Sequence, residues 1–299
     1  MRKFIFSSKA ARRLADLEKK PAETEPAAVP ESTGNGKKPE TEQSAFRIAW
    51  RSDIGKIRRI NQDAVILGNG LAGVADGMGG HQAGEIASAG LRDGLLRETQ
   101  IPSEPSEERL QEMIRKINRE LWEQAVQDDK LTGMGTTVTL LWPAGPEMLV
   151  AQVGDSRAYL YRDGDLRQVT EDHSMVADMV RRGILSEEQA ACHPMRNYIT
   201  RAVGTDETVE ADIFHVRRRA GDRWLICSDG LHALVSKEEL RRMIALDNLE
   251  EAANEMLEAA LANGGRDNIS LLLLEDPKGA PDEDTIPGAG QDNSGEVTP

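Results

Sequence analysis

Short apolar runs recur through the middle of the chain and read as β-strands. They fall at 46–50, 64–67, 71–75, 136–142, 148–153, 158–161, 213–216, 223–227 and 269–274. Asn69-Gly70 separates the second run from the third, and Asp163-Gly164 follows Tyr161. Two-residue turns of this kind close hairpins, so neighbouring strands should pair antiparallel. Longer stretches at 83–97, 106–127, 237–245 and 249–262 carry apolar residues three and four apart. In the second of them these are Leu110, Met113, Ile114, Ile117, Leu121 and Trp122, which line one face of a helix. Hairpin-linked strands with a few amphipathic helices predict an α+β fold, with antiparallel sheets covered by helices rather than a doubly wound parallel sheet. The sequence has no internal repeat.

The two ends of the chain lack such patterning. Residues 20–44 are rich in Pro, Glu, Thr, Gly and Lys, and 276–299 is acidic and rich in Gly and Pro. Neither stretch has enough apolar surface to order itself, so a disordered arm at 1–44 and a disordered tail at 276–299 should flank one domain at 45–275. The basic stretch at 2–17 reads either as a short helix for a partner or membrane surface or as a frayed end.

Composition narrows the class. An apolar share of 39% with 4% aromatics is lean for 299 residues, consistent with unfolded ends and a core of Ala, Val, Ile and Leu. The net charge of −14 argues against general nucleic-acid binding, which needs clustered Lys and Arg. No run approaches the roughly 18 apolar residues of a membrane span. The apolar patch Phe4-Ile5-Phe6 is too short for a signal peptide. Cys192 and Cys227 make no CxxC pair or disulfide framework, and Cys227 lies in an apolar run as a buried free thiol. A reducing cytoplasm is the expected setting.

The chemistry gathers at aspartates placed at the ends of apolar runs. Asp63 closes Arg58-Arg59-Ile60-Asn61-Gln62-Asp63; Asp76 stands in Val74-Ala75-Asp76-Gly77-Met78-Gly79-Gly80-His81; Asp155 stands in Gly154-Asp155-Ser156-Arg157. Asp229 follows Cys227-Ser228, and Asp267 precedes Asn268. An isolated Asp-Gly is ordinarily a turn out of a strand. Repetition changes that reading, because several strand ends in one domain can bring their carboxylates to one small volume. Converging carboxylates repel one another, and hard divalent cations such as Mg²⁺ or Mn²⁺ relieve that repulsion while keeping several waters. Two such ions about 3.5–4 Å apart can share a water and direct it at phosphorus. Gly77 lets its carbonyl approach an ion where a Cβ would obstruct it. Arg58 offers a fork of donors matched to phosphate oxygens, and Arg59, on a strand-like segment, should point the other way. Ser156 and Ser228 lack a Gly-x-Ser-x-Gly setting, and His173 and His193 lack zinc-site HExxH spacing.

Taken in order, RRINQD, VADGMGGH, GMGTT, GDSRAYL, EDHSMV, HPMRNYITRAVG, CSDGL and RDNIS closely resemble the bacterial branch of the metal-dependent, protein phosphatase 2C-type phosphatases. The likeness runs from about residue 48 to 274. It implies a four-layer α-β-β-α sandwich, two central antiparallel sheets flanked by helices. It implies hydrolysis of phosphoserine and phosphothreonine on proteins by direct attack of water held between two tightly bound Mn²⁺ or Mg²⁺ ions, with a third, weaker ion. Carried over by position, Asp76 would serve both ions with the Gly77 carbonyl as a further ligand. Asp229 and Asp267 would complete one ion and Asp63 the other, with Asp155 and Asp229 taking the third. Arg58 would bind the substrate phosphate, and Ser228 and Asn268 would orient the carboxylates. Where eukaryotic relatives place a histidine after the Asp-Gly, this chain has Met78; His81, three positions on, or a water would supply the proton. Residues 173–198 match a flap beside the site, whose Arg181-Arg182-Gly183 reads equally as a substrate contact or a plain helix end. The expected partner is a phosphoprotein substrate of a bacterial serine/threonine kinase, in signalling, with the chain a monomer. The alternative, a catalytically silent binding module, ordinarily loses a metal ligand, and every expected aspartate is present here.

Overall fold

The computed structural model describes residues 3–4, 46–80 and 82–280. The proposed disordered arm, the helix at 2–17 and His81 therefore lie outside the described residues, apart from Lys3–Phe4, which pairs as a strand with Tyr198–Ile199. Of the proposed tail, 281–299 lie outside them, whereas Asp276 is buried at the end of the last strand and its carboxylate accepts the Gly279 N–H.

Two sheets form the centre. The first has the order β10-β6-β5-β3-β2, built from β2 (Asp63–Gly68), β3 (Leu71–Met78), β5 (Val138–Ala144), β6 (Glu147–Val153) and β10 (Asp212–Arg217). The short β4 (Gly135–Thr136) pairs with the end of β3. The second runs β1-β12-β11-β7-β8, from β1 (Arg47–Asp53), β7 (Arg157–Arg162), β8 (Asp165–Gln168), β11 (Asp222–Cys227) and β12 (Ile269–Asp276). Every pairing within both sheets is antiparallel. The Asn69-Gly70 and Asp163-Gly164 turns close the β2–β3 and β7–β8 hairpins with all four residues at positive φ, the twist that suits adjoining strands.

Alternation along the strands then creates three apolar layers. In β12, Leu272 and Leu274 face the other sheet beside Val74, Val150 and Trp224, whereas Leu271 and Leu273 face helices. The first sheet is covered by α1 (Ala83–Glu98) and α2 (Glu107–Gln127), through Leu91, Leu95, Met113 and Ile117. The second is covered by α6 (Lys237–Ile244) and α7 (Leu249–Ala262), through Leu240, Ile244 and Met256. The result is the four-layer sandwich that the motif order implied. Each fully buried leucine contributes about 1.5–3 kcal/mol, so the wholly buried β12 is a main source of cohesion. Cys227 is buried and unoxidised, and burial pushes its thiol up to about 12. No helix among the described residues is long and apolar enough to cross a membrane.

Between β8 and β10 the chain adds α3 (Met175–Arg181), α4 (Glu187–Ala191) and β9 (Tyr198–Ile199). Arg181 ends α3 and pairs with Asp178 and Glu171, and Gly183 follows at φ +68 in a left-handed helix stop. The short α5 (Asp229–His232) begins directly beyond β11.

At the sheet edge, His215 Nδ1 meets Glu147 at 2.9 Å and Nε2 meets Glu107, in the first turn of α2, also at 2.9 Å. Hydrogen bonding to Glu147 and then Glu107 raises its pKa. The stabilisation is therefore complete below the unfolded imidazole range, about 6.5, and is lost as pH rises through the folded pKa. Thermal unfolding of His215→Gln should show a lower Tm than the parent at pH 6 and no difference at pH 9; a gap independent of pH would contradict the assignment.

Candidate metal centre and active site

All the expected aspartates sit at one end of the sandwich. β2 opens with Asp63, which stands directly across from Asp76 near the close of β3. Residues opposite one another in an antiparallel pair share a face, with Cβ atoms about 4.5–5.5 Å apart. Val65 and Val74, two positions along, lie between the sheets, so both carboxylates point to that same interior side. From the facing sheet, Ser228 follows β11 and its Oγ donates to Asp63 Oδ2 at 2.8 Å, joining the two layers. Ser228 Oγ in turn accepts the Ser270 N–H at 3.0 Å. Asp229 starts α5, and Asp267 lies just before β12. Asp155 occupies the turn between β6 and β7. Asp76 and Asp155 are buried, and so are single carboxylate oxygens of Asp63, Asp155 and Asp229.

Backbone contacts fix these positions. Thr137 grips Asp76 twice: its Oγ1 accepts the Asp76 N–H and its N–H donates to the Asp76 carbonyl, each at 2.9 Å. Thr137 Oγ1 also meets Ser156 Oγ at 2.7 Å. Asn268 donates to the Ile54 and Ile60 carbonyls and accepts the Gln62 N–H, stapling the 54–62 loop at both ends. This loop is irregular, not strand-like, because its polar groups bond to Asn268 rather than to a neighbouring strand. Arg58 nevertheless points inward, its Nη2 donating to Asp267 Oδ2 at 2.7 Å, while Arg59 is exposed. Gly77 differs from its sequence reading in detail: a Cβ there would meet Gly84 O at 2.0 Å and Gln62 O at 2.5 Å, so backbone packing demands the glycine.

The carboxylates gathered at this end of the sandwich are hard oxygen groups, with no thiolate or imidazole among the residues expected to hold ions. Among the described residues no three acidic, imidazole or thiol groups close into a ready cage for an ion. Mg²⁺-like ions need none, since they keep several waters and take one or two carboxylates. The donor set fits such ions.

Residues 58–264 match the Protein phosphatase 2C family. The chain belongs to this family. It is 39% identical over 231 residues to the serine/threonine protein phosphatase PstP of Mycobacterium tuberculosis, a match covering 77% of this chain and 45% of that protein. It therefore spans less than half of that relative's length. To the serine/threonine phosphatase stp of Listeria innocua it is 38% identical over 237 residues, covering 76% of this chain and 94% of the other. The crystal structure of the M. tuberculosis phosphatase PstP/Ppp superposes with a TM-score of 0.73 at 38% identity, over 77% of this chain and 98% of that one. The catalytic domain of PstP in complex with two manganese ions gives 0.71 at 37% identity, over 77% and 97%.

Within this protein phosphatase 2C domain, three positions that the sequence reading left without a role now have one. Thr137, inside the GMGTT motif, fixes Asp76. Gln152 donates to the Gly154 and Ser156 carbonyls at 2.8 and 2.7 Å, closing the Asp155 turn. His173, in EDHSMV, is buried against the same turn. Thr137 and His173 were marked only by presence in a motif, and Gln152 lies two residues outside one, without the chemistry that marks a ligand.

Proposed function

We propose that this chain is a metal-dependent protein serine/threonine phosphatase acting on phosphoprotein substrates of a serine/threonine kinase in cytoplasmic signalling, as a monomer. The observation that carries the reading is the in-register Asp63–Asp76 pair faced by Asp229 and Asp267 from the opposite sheet. In this assignment Asp76 would serve both Mn²⁺ or Mg²⁺ ions, with the Gly77 carbonyl as a further ligand; Asp229 and Asp267 would complete one ion, Asp63 would hold the other, and Asp155 with Asp229 would take a weaker third. Bound there, such ions supply a water deprotonated at neutral pH and positive charge against the phosphoryl oxygens.

The protein's own groups do the rest. Ser228 and Thr137 hold Asp63 and Asp76 in place before any ion arrives, which limits reorganisation. Arg58 presents its guanidinium beside Asp267, where its planar fork suits a phosphate monoester. Hydrolysis joins a water oxygen to phosphorus and breaks the bond to the serine or threonine oxygen, which takes up a proton. His81 is assigned that proton on its sequence position.

The test is phosphate release from a phosphothreonine peptide by the full chain, in Mn²⁺ and in EDTA. Chelation should lower release at least roughly a thousandfold, about 4 kcal/mol, and added Mn²⁺ should restore it. Undiminished release in EDTA would exclude the two-ion reading.

A further inference from the structure

The Gly154-Asp155 turn, which carries the chain from one sheet to the other, is held by two histidines from elsewhere in the chain. Gly154 is at φ +101, and a Cβ there would meet Thr137 Cγ2 at 2.5 Å, so the turn packs directly on the residue that grips Asp76. His173 then takes both polar groups of Gly154. Its Nδ1 accepts the Gly154 N–H at 3.0 Å, and its own N–H donates to the Gly154 carbonyl at 2.8 Å. On the other side, His232 Nε2 donates to the Asp155 carbonyl at 3.0 Å, tying the turn to α5, whose first residue is Asp229.

The chemistry fixes which tautomer His173 adopts. A nitrogen that accepts an N–H carries no hydrogen, so Nδ1 is bare and Nε2 bears the proton. Nε2 faces Asp212 Oδ2 at 3.0 Å, and Asp212 is itself paired with Arg201. Burial, the larger influence, holds the imidazole below its usual range against the pull of Asp212, which agrees with a neutral ring. The residue before His173 is fixed as well: Asp172 takes Arg157 in a bidentate pair at 2.9 and 2.7 Å. The residue after it, Ser174, bridges to Ile199, and Thr200 N–H donates to the His173 carbonyl at 2.9 Å. His173 thus stands where the 174–199 segment leaves and rejoins the sandwich.

We propose that His173 is a positioning residue for Asp155: its Nδ1 holds the Gly154 peptide that presents the Asp155 carboxylate, and so links that carboxylate to the base of the 174–199 segment. The proposal rests on the reading of Asp155 as a ligand of the weaker third ion. Without the Nδ1 acceptor, the buried Gly154 N–H loses its partner and the turn loses one of its two ties to His173. Asp155 then samples other orientations, while Asp63, Asp76 and Asp267, held by Ser228, Thr137 and their own strand ends, stay in place.

Two substitutions separate the two ends of the ring. His173→Asn keeps an acceptor near the Nδ1 position; His173→Gln reaches toward Asp212 and loses it. Calorimetric titration of the full chain with Mn²⁺, without substrate, should show the two tighter ions unchanged in both variants. The third ion should weaken about tenfold or more in His173→Gln and no more than about threefold in His173→Asn. The Mn²⁺ concentration for half-maximal phosphate release should rise in parallel in His173→Gln alone. Unchanged third-ion affinity in His173→Gln, or equal loss in both variants, would overturn the proposal. Nitrogen-15 spectra of the parent protein give a check that needs no variant: His173 must appear as the Nε2–H tautomer, and an Nδ1–H signal refutes the role. Absence of phosphate release by the parent would sink the phosphatase reading, while the calorimetry and the tautomer would still decide the part of His173.

Discussion

Asp76→Asn is expected to lower kcat/KM for a phosphothreonine peptide by roughly four orders of magnitude, about 5 kcal/mol of transition-state stabilisation. Asparagine matches the volume of aspartate, and both Thr137 contacts on this residue involve its backbone, so they survive the change. What is lost is one of two carboxylates in register on a shared face. Stability should therefore move against activity. Without metal, removal of a charge opposite Asp63 relieves repulsion, and the variant's Tm should equal or exceed the parent's. With Mn²⁺ the parent gains stability by mass action, and the variant should gain much less. Thermal unfolding with and without Mn²⁺, beside steady-state kinetics, measures both. A variant that keeps its Mn²⁺-induced Tm rise and its turnover would remove Asp76 from the centre of the mechanism.

Why the aspartates were legible in the sequence, and their supports were not, follows from what each residue bonds to. Asp63, Asp76, Asp229 and Asp267 each border a strand whose apolar pattern is plain, as in 223–227 and 269–274, so their convergence follows once those strands pair. Asn69-Gly70 and Asp163-Gly164 announced two hairpins because positive φ at consecutive residues is costly for most side chains. By contrast, β8 has one buried apolar residue, Leu166, in four, and β9 spans two residues. Neither is long enough to show a period. The helices α3, α4 and α5 are similarly short; Ser174 and Ser186 cap the first two, whereas the Ser228 hydroxyl before α5 goes to Asp63 instead. Thr137 and His173 bond backbone groups 61 and 19 positions away, and Gln152 bonds carbonyls two and four positions on. A backbone N–H has no sequence identity, so nothing in the order of residues names the partner. Arg58 lies between these cases: its chemistry was readable, but its contact with Asp267, 209 positions away, was not.

Gly77→Ala should impair both stability and turnover, by a route that leaves every carboxylate in the chain. The added methyl would stand 2.0 Å from Gly84 O and 2.5 Å from Gln62 O. Both obstacles are backbone, so no side chain can rotate away. Gly84 lies in the first turn of α1, and the Gln62 carbonyl already accepts the Gly77 N–H at 3.0 Å. β3 must therefore withdraw from α1 and from residue 62 together, carrying Asp76 off its register with Asp63. Overpacking of this kind costs about 1–3 kcal/mol of stability, or more where the neighbours are rigid. The catalytic loss should be larger than the stability loss, about a hundredfold or more, because a displacement near 1 Å at the reacting groups suffices for that. Gly80→Ala is the matched control: it sits three residues on, and a Cβ there meets nothing within 4 Å. Its Tm and turnover should stay close to those of the parent. Equal behaviour of the two variants would show that the close approach of β3, α1 and residue 62 does not set the position of Asp76. A large loss confined to Gly77→Ala would show that the site depends on a backbone contact as strictly as on its carboxylates.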